Sequence, residues 1–172
     1  SKLSIYGVRV TEPHHDGTPH WHLLLFMQVH DMEKVTRIMR SYALQESPLE
    51  KGADKARFTA VKIDWARGSA TGYIVKYICK NIDGFGVGKD DYGNDAIESA
   101  ERVNAWASTW RIRQFQFIGG PKVSVWRELR RLPSASMPDG ILKACCMASD
   151  SNDWCAFINL MGGHNGLRKA AP

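Results

Sequence analysis

The chain has 172 residues, of which 44% are hydrophobic and 24% are charged, as is typical of one soluble globular domain. The absence of a run of about 18 apolar residues predicts that no segment spans a membrane. Four cysteines are too few for a disulfide scaffold, and Cys145 and Cys146 are adjacent, so we expect a reducing compartment. The chain begins with strand-like alternation and without an initiating Met, which predicts a fragment without a signal peptide.

Positive charge is concentrated in one stretch of the sequence. The net charge is +5, and residues 111–131 contain six basic residues against Glu128 alone. A local excess of this kind suits a phosphate backbone, although a solvated surface is the alternative. The basic residues of this strip are Arg111, Arg113, Lys122, Arg127, Arg130 and Arg131.

Two strands and a tight turn are predicted at the start of the chain. Residues 4–12 alternate between apolar and polar, and residues 20–29 form a second strand that is apolar on one face and mixed on the other. Asp16 and Gly17 between them are a strong turn signal. The largely apolar second strand is predicted to be central in its sheet.

The rest of the chain is predicted to be mainly helical. Because strands and helices do not alternate regularly, the order favours an α+β domain with a mainly antiparallel sheet, flanking helices and a helical C-terminal extension. The remaining predicted elements are a helix from Asp31 to Gln45, a polar loop over 47–55, a strand over 57–65, a helix over 68–83, a glycine-rich loop over 84–93, a helix over 95–110, a strand over 114–118, and helices after 121 with breaks near 133–138 and 162–163.

Two histidines of the second predicted strand share a face with an upstream carboxylate. His20 and His22 are two residues apart, so both side chains leave the same side of the strand. If residues 13–19 form the loop, Glu12 lies opposite His20, with Cβ atoms about 5 Å apart. The three side chains predict a two-histidine, one-carboxylate site for a divalent cation, with open positions for water or substrate.

Other residues are alternatives for the third ligand. His14 and His15 lie in the predicted loop, and Asp64 lies near the end of the third predicted strand. A further alternative is that both histidines are exposed or hydrogen-bonded in the core without a metal. Neither the cysteines nor His164 have zinc-binding spacing, so we interpret them as core or surface residues.

The helix over residues 68–83 carries two tyrosines on one side. At about 100° per residue, Tyr73 and Tyr77 share a face with Lys76 and Lys80. We expect the opposite, apolar side to form the core; packing of the tyrosines is the alternative. Exposed phenols beside lysines suit nucleophiles, because a nearby positive charge favours the phenolate. The apolar side consists of Ile74, Val75, Ile78, Cys79 and Ile82.

These motifs resemble those of a known superfamily. His20-Trp21-His22, followed by an apolar run, resembles the His-hydrophobic-His motif of the HUH endonucleases. The spacing of Tyr73, Tyr77 and Lys80 resembles the two-tyrosine motif of rolling-circle replication initiators. Residues 12–22 are most similar to the replication gene A proteins of P2-like phages. The resemblance covers residues 4–85, and the two motifs in this order are more specific than either alone.

The resemblance implies a metal-dependent enzyme that nicks single-stranded DNA at a specific site and religates it. Its cofactor would be Mg²⁺ or Mn²⁺, and its intermediate would be a 5′-phosphotyrosine with a free 3′-hydroxyl that primes replication. It assigns the metal pair to His20 and His22, the third ligand to Glu12, the nucleophiles to Tyr73 and Tyr77, and a catalytic lysine to Lys80.

The resemblance also implies a fold, partners and a location. The fold would be a ferredoxin-like or RRM-like antiparallel sheet, with the histidines on a central strand and the tyrosines on a neighbouring helix. Residues 1–120 would form the nicking core, and residues 121–172 a helical extension packed on the same domain. The expected partners are single-stranded DNA at a replication origin and the host helicase or polymerase. No membrane is involved, and the location is the cytoplasm of the bacterial host.

DNA is expected to contact Lys76 and the basic strip of residues 111–131, aided by Lys51, Lys55 and Arg57. Unpaired bases could stack on tryptophans. Core packing is the alternative for each tryptophan, and we expect it for at least two of three. The three tryptophans are Trp106, Trp110 and Trp126.

Two other functions use the same residues differently. A metal-dependent phosphodiesterase would keep the histidines but leave the tyrosines as packing residues, without a covalent intermediate. A non-enzymatic module that binds single-stranded nucleic acid would have no need of the set formed by Glu12, His20 and His22. Metal-dependent formation of a covalent DNA adduct distinguishes the three functions.

Overall fold

The computed structural model describes residues 3–66, 68–82, 84, 88 and 95–164. These residues contain three strands and seven α-helices, which confirms the predicted α+β class. None of the described helices is long and apolar enough to cross a membrane. The elements are β1 (Ile5–Pro13), β2 (Pro19–Met27), α1 (Met32–Ala43), α2 (Ala53–Ala56), α3 (Ala70–Ile82), α4 (Ala96–Thr109), β3 (Phe115–Ile118), α5 (Val123–Leu129), α6 (Ile141–Asp150) and α7 (Trp154–Leu160).

The antiparallel sheet has the strand order β2-β1-β3. A tight turn joins β1 to β2: the His14 amide donates to the Thr18 carbonyl at 2.8 Å, and Gly17 takes a positive φ of 81°. The prediction that the histidine strand is central is wrong, because β1 is the central strand and β2 lies at an edge of the described sheet. The apolar composition of β2 does not indicate a central strand here, because Trp21 on its fully apolar face is exposed.

The third predicted strand is also wrong. Residues 57–65 contain no strand, and α2 occupies the end of the segment predicted as a polar loop. Val61 and Trp65 are exposed. Alternation in the sequence favours an extended chain, but a strand also needs a hydrogen-bonding neighbour. The predicted limits of the other elements agree with the structure to within a few residues, except that residues 151–153 separate α6 from α7, a break that the sequence did not predict. Residues 165–172, predicted to continue the helical region, lie outside the described residues.

Local signals fix the ends of the helix that carries the tyrosines. The Ser69 hydroxyl accepts a hydrogen bond from the Gly72 amide at 3.0 Å and caps the start of α3. After the end of α3, Gly84 has a φ of 67°, and a Cβ there would lie 2.4 Å from the Ala96 backbone, so only glycine fits. The rest of the predicted glycine-rich loop, except Gly88, lies outside the described residues.

Contacts divide the chain into two compact units. The first comprises Ser1–Arg9 and Phe115–Pro172, and its core forms around the fully buried Phe157. Cys145 and Cys146 belong to this core, one of the two environments expected for them, and burial raises the pKa of both thiols. The boundary at residue 120 between a nicking core and a helical extension stays a prediction.

The second unit comprises Val10–Gln114. In this unit α3 packs against α4, and the end of β1 is buried from Val10 through Glu12. A carboxylate at such a position needs compensating partners, because burial without them is costly. The side chains that contact Glu12 are therefore the candidate functional site of this unit.

Candidate active site

Glu12 is held by side chains from two other elements. Only 9% of Glu12 is exposed. Its Oε1 accepts a hydrogen bond from His22 Nε2 on β2 at 2.5 Å, and its Oε2 accepts one from Asn81 Nδ2 on α3 at 3.1 Å. Lys80 Nζ lies 3.8 Å from the same Oε2. Burial favours the neutral acid, but the hydrogen bonds from His22 and Asn81 and the charge of Lys80 outweigh it and lower the pKa of Glu12.

Three histidine rings form a continuous row beside this carboxylate. His20 and His22 have ring centroids 4.5 Å apart at 71°, and His14 lies edge-on to His20 with centroids 4.4 Å apart. Burial, followed by the charges of His22 and His14, lowers the pKa of His20. A lowered pKa favours the neutral imidazole near pH 7, which is the form that binds metals.

The third-ligand alternatives differ in their surroundings. Glu12 is bonded to His22, and the His14 ring contacts His20. His15 is exposed in the turn, and the exposed Asp64 accepts a hydrogen bond from the Ala66 amide at 3.0 Å. The structure thus brings Glu12 and His14 to the histidine pair.

The donor atoms lie side by side without converging. Within the described residues, no three His, Cys, Asp or Glu side chains are arranged to hold a metal ion as they stand. The reason is local: His22 Nε2 and Glu12 Oε1, which are two of the expected donors, are hydrogen-bonded to each other. Coordination of an ion would require the same two atoms to turn from each other towards it.

The two tyrosines continue the row of rings. The Tyr77 ring stacks on the His22 ring with centroids 4.1 Å apart and an interplanar angle of 30°. The Tyr77 hydroxyl donates to the Tyr73 hydroxyl at 3.3 Å, and Tyr73 is 44% exposed. One phenol is thus accessible from solvent, and both belong to a cluster that includes the histidines and the carboxylate.

The orientation predicted for α3 is wrong. Val75, Ile78 and Ile82 on the predicted core face are exposed. Asn81 is buried instead, with only 1% of its surface exposed. The side of α3 that faces β1 and β2 is polar because Glu12 requires hydrogen-bond donors there, and this requirement overrides the apolar pattern of the helix.

Asn81 is a site residue that the sequence reasoning missed. Its side chain donates to Glu12 and to the Tyr77 carbonyl, the latter at 2.8 Å. The sequence spacing could have identified Asn81, because it follows Tyr77 by four residues and therefore lies on the same helix face. Lys76, on the predicted tyrosine face, is exposed.

The basic strip of residues 111–131 is exposed but divided between the two units. Arg111 and Arg113 belong to the second unit. The residues of the first unit are Lys122, Arg127, Arg130 and Arg131. Arg131 forms an ion pair with Glu128 at 3.0 Å.

The three tryptophans have different environments. Trp126 packs against Trp154 and Phe157 in the core of the first unit. In the second unit, Trp106 Nε1 donates to the Gly17 carbonyl at 3.0 Å and fixes the turn between β1 and β2. Trp110 is 70% exposed. An open cavity of about 380 Å³ is lined by Gly17, Pro19, Trp106, Trp110 and Ile112.

The chain is similar to replication proteins of phages and to a protein from a prophage-like region. The Replication gene A protein of Escherichia phage 186 is 47% identical over 171 residues, which cover 94% of the chain and 25% of the relative. A replication protein described as probable, from Pseudoalteromonas phage PM2, is 47% identical over 178 residues, or 99% of the chain and 28% of the relative. A probable replication endonuclease from a prophage-like region of Salmonella paratyphi A is 41% identical over 178 residues, which cover 94% of the chain and 22% of the relative.

Residues 1–85 match the bacteriophage replication gene A protein (GPA) family, which places this part of the chain in that family. The chain spans about a quarter of the length of the curated relatives it matches. No solved structure matches it.

Proposed function

We propose that this chain is the part of a phage replication protein that nicks and rejoins one DNA strand at the origin, by tyrosine transesterification of the HUH type. The observation that carries the proposal is the stacking of Tyr77 on His22, which is itself bonded to Glu12. Candidate nucleophiles and candidate metal ligands are thus in direct contact. Relatives named probable replication endonuclease support a nuclease activity, and the phage relatives support action in DNA replication inside a bacterial host.

The side chains at the site suit a divalent cation. His20, His22 and Glu12 would hold it, since the lowered pKa values of Glu12 and His20 favour a charged carboxylate and a neutral imidazole. Mixed oxygen and nitrogen donors are compatible with Mn²⁺ and, with bound waters, with Mg²⁺. When bound, the cation would neutralise charge on the scissile phosphate and orient it.

The tyrosines would carry out the covalent step. A phenolic oxygen of Tyr73 or Tyr77 attacks phosphorus, an O–P bond to tyrosine forms, and the bond from phosphorus to the 3′-oxygen breaks. The departing oxygen takes a proton and becomes the free 3′-hydroxyl, while the phenolic proton leaves to solvent or to a neighbouring base. Attack by a 3′-hydroxyl on the phosphotyrosine reverses these changes and rejoins the strand. Lys80 would steady the phosphate or the phenolate.

The test is a denaturing gel of the protein incubated with single-stranded oligonucleotides tiled across the replication origin. With Mn²⁺ or Mg²⁺, we expect a DNA–protein adduct that survives denaturant, together with a fragment that ends in a 3′-hydroxyl. Chelation of the metal should abolish both products. Cleavage without any adduct would support the phosphodiesterase instead, and binding without cleavage in the presence of metal would support the nucleic-acid-binding module.

Trp110 is expected to contribute to DNA binding by stacking on an unpaired base. It is exposed, lines the cavity that includes Pro19 next to His20, and is followed by the exposed Arg111. Stacking of one base contributes about 1–3 kcal/mol, so Trp110→Ala should weaken affinity for a single-stranded oligonucleotide by about 5- to 150-fold, measured by fluorescence anisotropy. Trp110→Phe keeps an aromatic face and should lose less. Equal affinities of Trp110→Ala and wild type would contradict this role.

A further inference from the structure

We propose that Asn81 is a positioning residue that orients Glu12 for metal binding and ties it to the helix of the tyrosines. The inference rests on the proposed function, because it concerns how the proposed ligand Glu12 is held. It gives a role to a buried polar side chain that the transesterification itself does not require.

The orientation of the Asn81 amide is determined by its partners. The Nδ2 group lies 3.1 Å from Glu12 Oε2 and 2.8 Å from the Tyr77 carbonyl oxygen. An ionised carboxylate and a carbonyl can only accept hydrogen bonds. The amide nitrogen must therefore face both of them, and its two hydrogens are sufficient for the two bonds.

This arrangement distinguishes the two oxygens of Glu12. Asn81 engages Oε2, which also lies 3.8 Å from Lys80 Nζ, whereas Oε1 points to His22. A carboxylate held by one oxygen presents the other in a fixed direction. Partners of this kind orient metal ligands, and their loss typically reduces metal affinity by about 10- to 100-fold. Asn81 thus holds Oε2 and leaves Oε1, which is bonded to His22, as the oxygen that would turn towards a cation.

The same side chain links the ligand strand to the nucleophile helix. Its two bonds join Glu12 on β1 to the backbone of Tyr77 on α3, and the Tyr77 ring in turn stacks on His22. A change in the position of α3 therefore moves the phenols and the carboxylate together. Asn81 fixes the spacing between the site expected to bind the metal and the groups expected to attack.

Packing alone does not account for an asparagine at this position. Asn81 is 1% exposed, and within the described part of the chain its Oδ1 has no hydrogen-bond partner. A buried acceptor without a partner is unfavourable for stability. The amide is therefore explained by its Nδ2 bonds to Glu12 and Tyr77 and not by the filling of space.

The experiment measures Mn²⁺ binding to the protein without DNA, by electron paramagnetic resonance or calorimetry. We expect Asn81→Ala to raise the Kd for Mn²⁺ by about 10-fold or more. Asn104→Ala is the matched control, because Asn104 donates to the Ile82 carbonyl at the end of α3 at 3.2 Å and is exposed. The control should keep the wild-type Kd. Thermal melting establishes that each variant is folded.

If Asn81→Ala does not fold, Asn81→Ser is measured in its place. A serine hydroxyl donates only one hydrogen bond, so it cannot bind both Glu12 and the Tyr77 carbonyl. An unchanged Kd in a folded Asn81 variant overturns the positioning role and leaves the proposed function standing. An equal rise in the Kd of Asn104→Ala for Mn²⁺ also overturns the positioning role, because loss of any hydrogen bond to α3 would then be enough to weaken metal binding. Failure of the wild type to bind Mn²⁺ contradicts the metal-dependent function itself.

Discussion

Replacing Tyr73 and Tyr77 together with phenylalanine should abolish the covalent DNA adduct. Phenylalanine keeps the ring of Tyr77 that stacks on His22 and removes only the two hydroxyls, which are hydrogen-bonded to each other at 3.3 Å. Without a phenolic oxygen, no O–P bond to the protein can form. Loss of a nucleophile can lower the rate by about six orders of magnitude, so the adduct should fall below detection on a denaturing gel.

The single variants and a surface tyrosine complete this test. Tyr73→Phe and Tyr77→Phe should each retain an adduct if either phenol can attack, and their rates would identify the first nucleophile. Tyr42→Phe, in an exposed tyrosine of α1, is the matched control and should behave as wild type. Nicking by the double variant at the normal rate would exclude the tyrosine mechanism and favour a phosphodiesterase.

The part of the site carried by the hairpin could be predicted from the sequence. A strand has a side-chain period of two, and the turn at Asp16 and Gly17 sets the register. The pairing of His14 with Thr18 brings Glu12 opposite His20, as the loop length predicted. These relations depend on neighbouring residues only, so no knowledge of the rest of the fold was needed.

The rotation of α3 could not be predicted in the same way. Apolar periodicity identifies a core face only when the helix packs on an apolar surface. Here its buried side faces Glu12, so Asn81 is buried, and Ile78 and Ile82 are exposed. The tyrosine pair was placed correctly near the histidines, but Tyr77 is packed on His22 and only Tyr73 is substantially exposed.

The position of each strand in the sheet likewise depends on distant residues. β3 follows α4 in the chain and pairs beside β1, which puts β2 at an edge although its sequence is more apolar. Residues 57–65 have a strand-like pattern and no strand. Local composition indicates what a segment can form, whereas sheet order is decided by which segments remain available to pair.

Replacing His20 with alanine should abolish nicking while most of the DNA affinity remains. His20 is one of two imidazoles expected to hold the cation, and its lowered pKa favours the metal-binding form. Its loss leaves His22 and Glu12, which are bonded to each other and would make a weaker site. DNA affinity should persist because we expect it to depend mainly on contacts between basic residues, such as the exposed Arg111, and phosphates.

Parallel measurements of nicking and of binding to the same oligonucleotide separate catalysis from affinity. His30→Ala is the matched control: this imidazole is exposed, lies 3.7 Å from Asp31, and should be dispensable for both. If His20→Ala nicks at the wild-type rate, His20 is not a ligand and the metal site must be sought elsewhere, with His14 as the next residue to test. If instead His20→Ala loses DNA affinity and the wild type never nicks, the row of histidines is a binding surface. The two readouts decide between these outcomes because a metal ligand affects the chemical step, whereas a binding residue affects the affinity.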